Sequence, residues 1–260
     1  MHPFIDLFGF QLGTYGVAIA LGVGATYFLT TFLGKRSPIG EDNATTLLVA
    51  AIFGAFGGAK LLAVLVEGSV DLRSGGVYLG GFIGVVISAL IVVKWKRLPL
   101  AASLDLMTPV GTIGHFFGRI GCLLAGCCYG RPTDGALALQ FPKGSGAYQA
   151  LVHNNPALIH GEHTVGLVPT QLYEALFELG LTGLFVTMLL RKARPGLTFS
   201  LYFIGYAVFR FIIEYWRFDP ERGYAIQGVL STSQFISLII FAAGCFGLWR
   251  ALRPGSAAKS

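Results

Sequence analysis

Seven long apolar runs, separated by short polar segments, organise the chain. They cover residues 14–33, 44–66, 77–95, 105–126, 171–190, 198–216 and 230–250. A helix of about 20 apolar residues is long enough to cross the hydrocarbon core of a bilayer. Backbone groups in lipid must be hydrogen-bonded within the protein, and the pattern lacks the short alternating strands of a barrel. It therefore predicts an all-α integral membrane protein, with about seven transmembrane helices in a single membrane domain over residues 1–260.

Basic residues at the ends of these runs predict the orientation. Eleven of the nineteen lysines and arginines follow the first, third, fifth and seventh runs: Lys35, Arg36, Lys94, Lys96, Arg97, Arg191, Lys192, Arg194, Arg250, Arg253 and Lys259. Since cytoplasmic loops carry an excess of positive charge, we expect the N-terminus outside and the C-terminus in the cytoplasm. This topology explains the net charge of +6, so we predict no nucleic-acid partner.

Composition and connections refine this picture. Only 12% of the residues are charged, about half the usual share, which excludes an ordinary soluble domain. The long connection 129–168 is expected to form a small extracytoplasmic head, with His153, His160 and His163 as solvated loop residues.

The four cysteines form no C-x-x-C pair, so no metal site is predicted. The N-terminus lacks the pattern of a cleaved signal peptide, so the first run is expected to direct insertion.

Several ionisable residues lie inside the apolar runs, where each costs on the order of a few kcal/mol. Two of the pairs are spaced by four residues, so the members of each pair share one helix face. The set comprises Lys60, Arg119, Glu174, Glu178, Arg210 and Glu214. Two interpretations are open: ion pairs that fix the register of the helices, or a shared polar cavity.

The surroundings of Arg119 favour the cavity. Glycines flank it at positions 111, 114, 118, 121 and 126. Glycine lets a ligand reach the backbone, and a guanidinium can bind a phosphate through two parallel hydrogen bonds. Tyr15, the pair Gly80–Gly81 and the segment 169–178 fall at the outer ends of their runs. Together these features predict a site for a phospholipid headgroup at the depth of the outer leaflet.

Five motifs in order resemble those of the bacterial prolipoprotein diacylglyceryl transferases, over nearly the whole chain. They are TYG in the first run, GGFIG in the third, GRIGCLLAGCCYG in the fourth, PTQLYE at the start of the fifth and FIGYAVFRFIIEYWR in the sixth. The resemblance implies an enzyme of the bacterial cytoplasmic (inner) membrane. It would transfer the diacylglyceryl group of phosphatidylglycerol to the lipobox cysteine of prolipoprotein signal peptides. A thioether would form and glycerol 1-phosphate would leave, with no metal or organic cofactor.

The resemblance also implies roles for individual residues. Arg119 and Arg210 would hold the phosphate, and Tyr206 would complete the catalytic set. The remaining positions would bind the substrate, with Glu214 orienting Arg210 and with Gln171 and Glu174 lining the outer mouth. These substrate-binding positions are Tyr15, Gly80, Gly81, Gly130, Gln171, Glu174 and Glu214.

The chain departs from the family pattern where the acceptor thiol would be handled. Leu79 replaces a histidine that is a candidate base in many members, and Val168 replaces another histidine. Cys122, Ala125 and Cys127 stand where the signature has Asn, Asn and Glu. The base is therefore open among His115, Tyr78 and hydroxide. Three functions are open too: the same transfer, transfer to another acceptor by a paralogue, or phospholipid binding without turnover.

The cysteines and other protein classes leave further alternatives. Cys122, Cys127 and Cys128 are either small apolar filler or reactive thiols close to Arg119. A disulfide to Cys122 would require the helix to end before residue 127.

A transporter would often carry an inverted repeat, and none is evident. A membrane protease would need more than an isolated Ser103 or Asp105.

Overall fold

Helices dominate the structure, which is a computed structural model describing residues 4–7, 10–67, 78–218, 224–226 and 229–253. The helices are α1 (Thr14–Gly34), α2 (Glu41–Glu67), α3 (Tyr78–Trp95), α4 (Leu100–Ala125), α5 (Gly146–Asn154), α6 (Thr170–Leu190), α7 (Leu197–Ile213) and α8 (Thr232–Leu252). Each predicted apolar run lies on one of these helices. The all-α prediction is confirmed. The sixth run ends differently, because Glu214–Trp216 forms a 3-10 turn after α7.

Five of the helices are long and apolar enough to cross a membrane among the described residues: α1, the Glu41–Leu65 part of α2, α6, α7 with the turn that follows it, and α8. Large apolar side chains point outward from them, and Phe28 and Phe53 are 69% and 74% exposed. Such surfaces suit lipid rather than water. The multi-pass membrane prediction is therefore confirmed, while the count of seven crossings and the orientation stay predictions.

Glycines let α2 and α3 approach closely. A Cβ atom added to Gly80 would collide with the carbonyl oxygen of Gly58, and one added to Gly84 would collide with that of Gly54. A Cβ atom on Gly81 would lie 3.2 Å from the carbonyl oxygen of Ala55. This is the packing of small residues that is typical of membrane helices. The structure thus gives the predicted Gly80–Gly81 pair a packing role, and its role in substrate binding stays a prediction.

Helix α4 is the centre of the bundle. It packs along α1 and α6 and also contacts α2 and α7. Its buried positions include Asp105, Thr112 and Gly121, so its polar side chains face other helices. Asp105 accepts hydrogen bonds from the backbone N–H groups of Gly196 and Phe199, which fixes α4 to the first turn of α7. The most polar of the long helices is thereby shielded by its neighbours.

The long connection between α4 and α6 folds around a small core of its own. Phe141, Ala147, Leu151 and Leu167 are buried together. The short strands Ile159–His160 and His163–Thr164 form an antiparallel hairpin, preceded by α5. His153, His160 and His163 are exposed. Other hairpins precede α1 and α8; the first pairs Phe4–Leu7 with Phe10–Gly13, and the second pairs Tyr224–Ile226 with Leu230–Ser231.

Candidate active site

One face of α4 carries the polar groups of the candidate site. His115, Arg119 and Cys122 are spaced by four and three residues, so they follow one another along a single stripe of the helix. The stripe faces α6, where Glu174 and Glu178 repeat the same spacing. Two complementary rows of charge thus meet between two packed helices.

Glu174 joins two guanidinium groups. Its Oε2 atom lies 2.6 Å from Nη2 of Arg119, and its Oε1 atom lies 3.1 Å from Nη1 of Arg217. The side chains of Glu174 and Arg217 are 3% and 2% exposed. Charge-assisted contacts of this kind are strong when both partners are desolvated. Arg217 is not among the predicted site residues, because a basic residue at the end of an apolar run is usually an interfacial charge.

His115 connects the two rows of charge. Its Nδ1 atom lies 2.8 Å from Oε1 of Glu178, and its Nε2 atom accepts a hydrogen bond of 3.1 Å from Nε of Arg119. A ring that donates at Nδ1 and accepts at Nε2 is the neutral imidazole in its Nδ1–H form. Both ring nitrogens are therefore engaged. The Oε2 atom of the buried Glu178 has no hydrogen-bond partner among the described residues.

A second ion pair lies at the end of α7. Nη1 of Arg210 lies 2.7 Å from Oε2 of Glu214, as expected for a carboxylate that orients this arginine. The pair is an ionic contact without hydrogen-bond alignment. Nη2 of Arg210 also donates to Ser233, and Ser231 donates to Glu214, so both charges are tied to the start of α8.

Two tyrosines border this region. Tyr206 lies one turn before Arg210 on α7, and its ring centre is 6.0 Å from that of His115. It therefore lies beside the His115–Arg119 arrangement as well as on the helix of Arg210. Tyr15 is 45% exposed, and its ring covers Gly121, where an added Cβ atom would lie 3.0 Å from Cδ2 of the tyrosine. Glycine at 121 thus lets the ring rest on α4.

The segment after α4 is fixed to the start of α6. The helix ends at Gly126, whose φ of 73° is favourable for glycine. Gln171 donates to the carbonyl oxygen of Cys127 at 2.6 Å, and Thr170 donates to that of Cys128 at 2.7 Å. Gln171 and Glu174 are buried, because these bonds and ion pairs draw their side chains inward. Their predicted place at the outer mouth stays a prediction.

Gly130 is held where three segments meet. Its N–H donates to the carbonyl oxygen of Val168, and an added Cβ atom would lie 2.5 Å from the carbonyl oxygen of Trp216. A side chain at 130 would separate the entrance of α6 from the exit of α7. The structure thus gives this glycine a packing role, and its predicted contact with substrate is not tested.

Three thiols come together at the end of α4. The Sγ atoms of Cys122, Cys127 and Cys128 all lie within 4.8 Å of one another, and all three cysteines are free. The helix does end before residue 127, which brings Cys127 and Cys128 back to Cys122. Hydrogen bonds from the other two thiols lower the pKa of Cys128, and the nearby guanidiniums of Arg217 and Arg119 lower it further. The proximity of these thiols to Arg119 was one of the two sequence interpretations.

Ser103 and Asp105, the two candidate protease residues, form hydrogen bonds that hold the fold together. Asp105 binds the backbone of α7, and the hydroxyl of Ser103 donates to the carbonyl oxygen of Pro99 within its own helix. Both side chains are buried. The geometry thus supplies no serine nucleophile with a matched base at these two positions. The side chain of Tyr78, one of the candidate bases, lies outside the described part of the structure.

Comparison with known proteins agrees with the motifs. The family described as prolipoprotein diacylglyceryl transferase matches residues 3–250. A phosphatidylglycerol--prolipoprotein diacylglyceryl transferase of Clostridium tetani is 37% identical over 257 residues, covering 95% of this chain and 96% of the relative. One of Clostridium perfringens, numbered 2, is 34% identical over 254 residues, covering 92% and 91%. One of Dehalococcoides mccartyi is 32% identical over 256 residues, covering 92% and 90%. The chain therefore belongs to the prolipoprotein diacylglyceryl transferase family.

Proposed function

We propose that this protein transfers the diacylglyceryl group of phosphatidylglycerol to the lipobox cysteine of prolipoproteins. A thioether forms and glycerol 1-phosphate leaves, as in the first step of lipoprotein maturation. The names of relatives that match more than nine-tenths of the chain support the reaction. The buried charges of the described residues support the kind of substrate, because a phosphate leaving group requires fixed cations.

The orientation of Arg119 carries this proposal. Its Nε atom donates to His115 and its Nη2 atom lies against Glu174, and neither contact uses Nη1. The side chain is 17% exposed. A guanidinium has five N–H donors in a planar fork, so a group fixed at two nitrogens still offers donors to a phosphate. The two protein contacts would thus aim the cation at the headgroup before the lipid binds.

His115 acts as a positioning residue in this proposal. Its Nε2 atom accepts from Arg119 and its Nδ1–H faces Glu178, so neither nitrogen is free to take the proton of the acceptor thiol. Glu178 would orient the ring of His115, as a carboxylate orients a metal-binding histidine through a hydrogen bond, and His115 would in turn orient Arg119. Arg210, oriented by Glu214, would be the second cation for the phosphate, with Tyr206 beside it.

The proposed setting is the cytoplasmic membrane of a bacterium, with the site toward the outer leaflet. All seven long helices would cross the bilayer, with the N-terminus outside. Helix α3 has a shorter apolar stretch among the described residues, Gly80–Trp95, and its glycines pack against α2. Helix α4 is more polar, but α1 and α6 cover it. Phosphatidylglycerol, prolipoprotein signal peptides and surrounding lipids would be the partners.

The test uses the purified full chain in vesicles that contain phosphatidylglycerol, with a lipobox peptide as acceptor. We expect the peptide to gain the mass of a diacylglyceryl group and glycerol phosphate to appear in equal amount. Arg119→Lys keeps the charge but loses the planar fork, so it should lower the rate about 100-fold or more. Arg36→Lys, an exposed arginine that contacts only its own helix, is the matched control.

Two results would contradict the proposal. Equal rates for wild type and Arg119→Lys would show that the reaction does not require the guanidinium of Arg119. Release of glycerol phosphate without modification of the peptide would indicate a paralogue with another acceptor. Vesicles of phosphatidylcholine alone serve as the lipid control and should give no product.

A further inference from the structure

The three thiols at the end of α4 have the separations of a metal site that is nearly closed. All three Sγ atoms lie within 4.8 Å of one another. Three sulfurs bound to one zinc ion at about 2.3 Å in a tetrahedral arrangement lie about 3.8 Å apart. Side-chain rotations that move the sulfur atoms by less than about 1 Å would bring the observed Sγ–Sγ distances to that value. Filling an apolar gap would not require three cysteines to converge.

The backbone around the cluster is fixed in the shape that brings the sulfurs together. Cys128 has a φ of 60°, a conformation that side-chain-bearing residues rarely adopt. The other described non-glycine residues with positive φ, Arg97 and Lys192, follow the ends of α3 and α6, where this conformation is a common cap. Cys128 is also anchored by Thr170, and Cys127 by Gln171. The constraint therefore comes from packing on α6.

The surroundings suit the charge of a thiolate–metal group. A divalent cation with three thiolates carries a net charge of −1. The guanidinium of Arg119 lies one turn before Cys122 on α4, and Glu174 joins it to the guanidinium of Arg217. All three cysteines are only half-buried. Soft thiolate ligands select zinc over magnesium or calcium. Three protein ligands and access from outside are the pattern of a catalytic rather than a structural zinc site.

We infer that Cys122, Cys127 and Cys128 bind one zinc ion whose fourth position takes the thiol of the acceptor cysteine. The inference departs from the metal-free reaction that the resemblance implies, and it concerns the positions where cysteine replaces the family's Asn and Glu. The role of the fourth position rests on the proposed function. Gln171 lies beside the three cysteines. Its Nε2 atom donates to the carbonyl oxygen of Cys127, while its buried Oε1 atom has no partner among the described residues.

The zinc ion would help to activate the acceptor thiol in a chain where Leu79 stands at the position of a candidate base. Held by the three cysteines, zinc would supply positive charge that favours the thiolate of the acceptor cysteine, and the thiol proton would pass to the departing glycerol phosphate. A sulfur lone pair forms the C–S bond to the terminal glyceryl carbon, while the C–O bond to phosphate breaks. The electron pair of that bond stays on the phosphate oxygen, which Arg119 holds. No atom is oxidised or reduced.

The first experiment measures zinc binding to the reduced, purified full chain by competition with a chromophoric chelator. We expect about one zinc ion per chain. Cys122→Ser and Cys128→Ser should each weaken binding more than about 100-fold, since even outer-shell changes cost 10–100-fold. Cys245→Ser, the exposed cysteine of α8, is the matched control and should bind as wild type does. Helical circular dichroism of each apo variant checks folding.

Cobalt(II) tests the fourth position. The cobalt-loaded protein should show sulfur-to-cobalt absorption, and a lipobox peptide with cysteine should change it while the same peptide with serine should not. Equal zinc affinity in wild type and in the folded Cys122→Ala/Cys128→Ala variant would overturn the site. An unchanged cobalt spectrum, or full transfer by the chelated enzyme, would overturn the role of the fourth position. Cysteine-dependent zinc binding without any transfer would refute the proposed function and leave the metal site standing.

Discussion

Nη2 of Arg119 lies 2.6 Å from Oε2 of Glu174, so a carboxylate on α6 fixes the cation of α4. The other oxygen of the same carboxylate holds Arg217. A single buried carboxylate thus sets the direction of two guanidiniums that come from different parts of the chain. Removing one charge from such a group leaves the others desolvated and unpaired, which is more costly than removing all of them.

Replacing Glu174 by glutamine should therefore destabilise the protein as well as inactivate it. The amide cannot neutralise two buried guanidiniums, and a broken buried ion pair costs about 3–5 kcal/mol. Thermal unfolding in one detergent, with and without phosphatidylglycerol, measures the effect. Glu162→Gln is the matched control, because the Lys143–Glu162 pair is exposed and screened by solvent, so its melting temperature should stay close to that of the wild type. Similar melting temperatures for the two variants would refute the structural role of Glu174.

His115→Gln should lower kcat without abolishing the pH dependence of the reaction. The variant loses the contact that aims Arg119, and a misplaced group of this kind costs about 100-fold. The pH profile of kcat/KM should keep its shape, because His115 positions the arginine and does not take the thiol proton. Loss of the rising limb in this variant would make His115 the base. His160→Gln, in the exposed hairpin of the connection, should behave as wild type.

Gly84→Ala should weaken the contact between α2 and α3. The new methyl group would collide with the carbonyl oxygen of Gly54, and overpacking of this kind costs about 1–3 kcal/mol. Gly57→Ala is a sensitive control on α2, because nothing lies within 4 Å of its added Cβ atom. That change should be neutral or stabilise by up to about 1 kcal/mol. Equal unfolding temperatures for the two alanine variants would contradict this close packing.

Asp105→Asn should loosen the junction of α4 with α7. The carboxylate accepts from two backbone N–H groups, and the amide nitrogen of asparagine would face one of these donors. A buried donor left unsatisfied costs about 1–3 kcal/mol. Urea or thermal unfolding measures the loss, and Asp134→Asn in the exposed part of the connection provides the control. Native stability in Asp105→Asn would mean that the bonds to α7 contribute little.

Much of the fold follows from local patterns. The apolar runs predicted every long helix, because hydropathy and backbone hydrogen bonding act within each segment. The ends of the helices differ from the predicted runs: α4 begins at Leu100 rather than residue 105, since its first turns are partly buried and can include polar residues. The core of the connection around Phe141 was not foreseen, because its strands are only two residues long and depend on contacts with distant segments.

For the site, the sequence by itself determined which residues carry buried charge, because the cost of placing Arg119 or Arg210 in an apolar run is a property of that run. Only the tertiary structure decided their partners. Arg217 meets Glu174 across 43 positions, and Gln171 meets Cys127 across 44. Such pairings depend on how α4, α6 and α7 pack, and hydrogen bonds and ion pairs act over only a few ångströms. The convergence of three thiols likewise required the turn at Gly126 and the anchors on α6, which no spacing in the chain reveals.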